Sequence, residues 1–68
     1  MENVEVFNRP IGNYKTIHLI CNANKHEYME VTKYPDGDIT ASMVLCHPDN
    51  DIILTIEQLE KLVEELKE

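Results

Sequence analysis

The sequence predicts an α+β fold: a four-stranded antiparallel sheet, wound as a meander, with one C-terminal helix packed on one face. Three observations carry this reading. The alternating run EYMEVTKYPDGDITASMVL is interrupted by Pro35-Asp36-Gly37, turn chemistry that folds two strands into a hairpin. Upstream, YKTIHLIC is rich in β-branched residues and reaches that hairpin through the short polar loop Asn22-Ala23-Asn24-Lys25. Downstream, apolar residues change from period two to helical spacing at Ile56, Leu59, Leu62, Val63 and Leu66. A chain of 68 residues makes one domain, 1–68, near the lower limit at which a single core sustains a fold.

The first strand is short, about residues 3–8, and ends where Arg9-Pro10 removes a backbone donor. The connection NRPIGN turns at Gly12-Asn13. The second strand, about 14–21, alternates Ile17, Leu19 and Cys21 with Thr16, His18 and Ile20. The third and fourth strands, about 26–34 and 38–46, take their register from a three-residue bulged turn. Lys33 then faces Ile39, Val31 faces Ala41, Met29 faces Met43, Tyr28 faces Val44 and His26 faces Cys46. One face collects Met29, Val31, Ile39, Ala41, Met43 and Leu45 and is expected to be core. The other carries Tyr28, Glu30, Thr32 and Tyr34 and meets water or a partner.

The helix, about 55–67, starts at Thr55. Gln58 three residues on completes a capping box, and Leu54 can staple against Leu59. An isolated helix of this length is marginal in water, so its apolar side must dock on the sheet.

Charge bounds the partners. Thirteen acidic residues against six basic give −7, which argues against binding nucleic acid through its phosphates or docking on anionic membranes. No apolar stretch reaches the 18 or so residues of a membrane span. The N-terminus is acidic where a signal peptide is basic. The expectation is a cytoplasmic protein with reduced cysteines.

Two clumps, Cys21 with His26 and Cys46 with His47, raise the question of a metal. Their spacings, C-x4-H and an adjacent C-H, miss the paired spacing of structural zinc sites. Free thiols and surface histidines are the expectation, with a small zinc site as an alternative. Cys46-His47 resembles a nucleophile beside a base, but strand neighbours point to opposite faces. No carboxylate spacing marks an acid–base pair, so neither enzymatic activity nor a cofactor is expected.

Two surfaces remain as interface candidates. One is the second sheet face, with Tyr28, Tyr34, Val44 and Ile20 and with Phe7 nearby, suited to self-association or to a protein partner. The other is the acidic helix, where Glu60 and Glu64 can imitate the phosphates of DNA. A further alternative is a self-associating module that holds a nucleotide between subunits, with Arg9, Lys15, Lys25 and Lys33 as its only anion contacts on the sheet side.

The tail IILTIEQLEKLVEELKE resembles the ending of small phage and prophage proteins, in which a short strand, an LT-x-EQ cap and a Leu-rich helix close a small sheet. The resemblance covers about a quarter of the chain. It implies a mobile-element accessory protein that acts by binding, inhibiting or regulating a host protein. It assigns no functional residue.

Overall fold

Alternation and turn chemistry build the sheet as expected. The computed structural model describes residues 3–44 and 51–68. Strands β1 (Val4–Arg9), β2 (Tyr14–Ile20), β3 (Tyr28–Lys33) and β4 (Ile39–Val44) lie in the order β1-β2-β3-β4, and helix α1 (Ile56–Lys67) follows. Every neighbouring pair is antiparallel.

The hairpin closes as its residues dictate. Gly37, at φ +96°, donates its N–H to Tyr34 O, and Tyr34 N–H donates to Asp38 O. The register is the predicted one, with Lys33 facing Ile39, Val31 facing Ala41, Met29 facing Met43 and Tyr28 facing Val44. The first turn uses Gly12 at φ +87° and Asn13 at φ +55°, with Asn13 N–H bonded to Pro10 O. Leu45 and the pairing of His26 with Cys46 involve residues outside the described ones. His26 itself precedes β3: it lies exposed in a turn closed by Glu27 N–H to Asn24 O. The predicted start of the third strand at residue 26 is therefore two residues early. Asn24, whose Oδ1 accepts from the His26 N–H, supplies the turn chemistry there.

Helix α1 begins at the predicted cap. Thr55 Oγ1 accepts from Gln58 N–H at 3.2 Å, and Gln58 Oε1 accepts from Thr55 N–H at 2.7 Å. Its docking differs from the expected five-residue apolar side. Gln58 is the helix's only fully buried side chain, Leu62 and Leu66 are half-buried, and Ile56, Leu59 and Val63 are exposed. The helix lies over β1 and β2. The apolar side of β4 is left open instead of joining the core, because one helix is narrower than four strands.

The core among the described residues is small: Ile17, Leu19, Cys21 and Val31. The segment before the helix is tied to the end of β2, with Asn22 N–H donating to Ile53 O and Ile53 N–H to Cys21 Sγ.

Charge fixes the far end of the helix. Lys15 Nζ bonds Glu65 Oε1 at 3.2 Å and the Glu65 carbonyl at 3.1 Å, and Lys33 Nζ bonds the carbonyls of Leu66 and Glu68. The Glu65 carbonyl also accepts the Glu68 N–H, and the two cations at this end oppose the negative end of the helix dipole. Hydrogen bonds from Lys15, and then from Lys61, hold the Glu65 carboxyl below the ordinary glutamate pKa. A depressed folded value means that the bridge stabilises above the unfolded pKa and is lost as pH falls through the folded one. In acid titrations followed by circular dichroism, Glu65→Gln should lower stability at neutral pH and flatten the decline in that acid window.

Candidate binding surface

The antiparallel register writes the open face of the sheet as rows. Ile20, Tyr28 and Val44 form one row across β2, β3 and β4. The next is Glu5, His18, Glu30 and Ser42, and then Phe7, Thr16, Thr32 and Thr40. Arg9 and Tyr14 follow, with Tyr34 beyond the end of β3.

Side chains on this face order one another, with no covering layer among the described residues. The His18 ring packs between Tyr28, at 4.3 Å between centroids, and Phe7, at 4.8 Å, tilted to both. Its Nε2 lies 3.0 Å from Glu30 Oε2 and its Nδ1 3.8 Å from Glu5 Oε1. The Arg9 guanidinium stands 5.1 Å from the Phe7 ring centre, and Tyr14 pairs with Tyr34 at 5.7 Å. Thr16 and Thr32, small and buried among larger neighbours, share a hydroxyl hydrogen bond of 3.3 Å. The result is an aromatic stripe, Phe7–His18–Tyr28, that runs diagonally over three strands and ends in the aliphatic Ile20 and Val44.

The predicted interface residues therefore fall into separate places. Ile20, Tyr28 and Val44 come together in one row. Tyr34 sits at the opposite end, against Tyr14. Glu60 and Glu64 are exposed on α1, across the sheet from the tyrosines, and line a shallow depression with Ile56, Leu59 and Val63. His18 joins the stripe, and Tyr14 the pair with Tyr34, without either having been singled out. The signal was in the NRPIGN turn, which sets Phe7 opposite Thr16 and Glu5 opposite His18 once it is read for register.

The other candidate chemistries find little support in this geometry. Among the described residues, no three His, Cys, Asp or Glu side chains gather as a metal would require. Cys21 is buried and His26 exposed, while Cys46 and His47 lie outside the described residues. The hydrogen bond from Ile53 N–H, against the opposing effect of burial, holds the Cys21 thiol below its ordinary pKa.

Of the cations proposed for a nucleotide, Arg9, Lys15 and Lys33 line an open depression of about 370 Å³ at one end of the sheet, with Tyr14 and Tyr34. Both lysines there are engaged by the end of the helix, and Lys25 is elsewhere, in the loop after β2. No helix among the described residues is long and apolar enough to cross a membrane. Comparison with family models, with curated proteins and with solved structures finds no match, so the functional reading rests on the geometry of these surfaces.

Proposed function

We propose that the chain is a non-enzymatic binding protein that recognises a partner protein through the open face of its sheet. The observation that carries this is the stripe Phe7–His18–Tyr28, flanked by Ile20 and Val44, whose rings pack on one another with no described element above them. Aromatic side chains dominate the energetics of protein interfaces. Here they are already held in place by their neighbours, so less rotamer freedom is lost on binding. A flat, half-apolar surface also suits a protein better than a small molecule, which favours a concave site.

The acidic surroundings, Glu5 and Glu30 on this face and Glu60 and Glu64 on the helix, favour a partner with basic residues at its rim. The resemblance of the tail to small phage and prophage proteins supports the setting: an accessory protein that inhibits or regulates a host protein, acting in the cytoplasm.

A partner captured from a bacterial lysate and then purified gives the test by titration calorimetry. Tyr28→Ala should weaken that complex at least tenfold, the effect of losing an interface anchor worth about 2 kcal/mol. Charge reversal at both Glu60 and Glu64 probes the helix in the same assay. A complex indifferent to Tyr28→Ala, with the variant still folded by circular dichroism, would remove the sheet face from the proposal.

A further inference from the structure

Beside the aromatic stripe, two hydrogen-bond acceptors meet with no donor between them. His18 Nε2 lies 3.0 Å from Glu30 Oε2, a hydrogen-bond distance, and a carboxylate only accepts. The neutral imidazole therefore carries its proton at Nε2, which leaves Nδ1 as a bare acceptor. Nδ1 faces Glu5 Oε1, a second acceptor, at 3.8 Å. The single arginine or lysine on this face among the described residues, Arg9, is engaged elsewhere, 5.1 Å from the centre of the Phe7 ring.

In the free protein solvent reaches this gap from the Glu5 side, since that side chain is 60% exposed and that of His18 14%. A protein that covers the stripe Phe7–His18–Tyr28 shuts the solvent out. A carboxylate buried without a donor is heavily penalised, so the covering protein must bring one.

We infer that the partner places an arginine side chain between Glu5 and His18, an inference that rests on the sheet face being the binding surface. The guanidinium is always charged, and its N–H groups form a rigid planar fork. One N–H donates to Glu5 Oε1 and its neighbour to His18 Nδ1. The flat face of the group packs on aromatic rings, as Arg9 already does on Phe7. A lysine ammonium matches the charge of Glu5 and Glu30 but has neither the fork nor the flat face.

Nuclear magnetic resonance of the isotopically labelled whole chain at neutral pH tests this with a blocked Gly-Arg-Gly tripeptide as the probe. His18 should show the tautomer with its proton on Nε2. The peptide should shift His18 Nδ1 and the Glu5 carboxyl carbon saturably, and its citrulline and lysine counterparts should bind at least about fivefold more weakly. Glu5→Gln should weaken the arginine peptide by a similar factor. Glu57→Gln, which removes the same charge from an exposed position on the helix, should leave it unchanged. The amide spectrum confirms that both variants are folded. A proton on Nδ1 would overturn the inference, because it already serves Glu5. So would an arginine peptide that binds no better than the citrulline one, or equally in the two variants. If such a result accompanied a protein complex that still needs Tyr28, the arginine alone would be lost and the sheet face would stand. An arginine peptide that binds as described, without any complex sensitive to Tyr28→Ala, would uphold the arginine site and remove the larger surface.

Discussion

Leu19→Ala should lower the melting temperature by about 12–24 °C and leave much of the chain unfolded at 37 °C. Leu19 is wholly buried in the second of four strands, between Val4 on β1 and Met29 on β3, under the helix. Truncating such a leucine costs about 2–5 kcal/mol, from lost transfer energy and the cavity left behind. In a domain of this size each kcal/mol moves the melting temperature by about 4–8 °C, so a loss of about 3 kcal/mol gives the stated range. Small single domains hold a total of about 5–15 kcal/mol, and among the described residues four apolar ones are buried. Ile39→Ala is the matched comparison, since it removes an aliphatic side chain from the same side of the sheet at an exposed position. It should move the melt by only a few degrees. Equal effects of the two substitutions in dilute solution would mean that the core is not centred on β2.

Much of this architecture is legible in the residues, and the reasons are local. Pro35-Asp36-Gly37 fixes a turn type, the turn type fixes a register, and a period-two register fixes which side chains share a face. The Thr55–Gln58 cap is likewise a matter of four adjacent residues. What the sequence does not settle is lateral placement. Helical periodicity groups Ile56, Leu59, Leu62, Val63 and Leu66, but it cannot say which of them faces the sheet, or over which strands. That choice is made by Lys15 and Lys33 at one end of the helix and by Gln58 at the other, contacts 33 to 55 residues apart in the chain. The binding surface divides in the same way. The row Ile20–Tyr28–Val44 follows from the hairpin register, whereas the contact of Phe7 with His18 needs the β1–β2 register set by the NRPIGN turn.

Gln58→Ala should destabilise the chain nearly as much as losing a core leucine, although it removes a polar side chain from an acidic helix. The side chain is completely buried and joins four segments. Its Nε2 donates to Ile20 O at 2.8 Å and Asn3 O at 3.2 Å, and its Oε1 accepts from Asn22 Nδ2 and Thr55 N–H, each at 2.7 Å. It thus closes the capping box and pins the start of the helix to the edge of β1 and the end of β2. Losing a cap costs about 0.5–2 kcal/mol, and each buried partner left unsatisfied costs about 1–3 kcal/mol. These terms overlap, so a total of about 2–4 kcal/mol is expected. Gln58→Glu isolates the donor half of the network. A carboxylate can still accept from Thr55 and Asn22, but it sets a second oxygen against the carbonyls of Ile20 and Asn3. Burial against two acceptors raises the folded pKa of that carboxyl, so the variant should be most stable while protonated and lose stability as pH rises through the raised value. Chemical denaturation of the two variants between acid and neutral pH measures both effects. If Gln58→Ala costs no more than an exposed substitution such as Glu57→Ala, within about 0.5 kcal/mol, the helix is held by Leu62, Leu66 and the lysine contacts alone. Gln58 would then be a cap and nothing more.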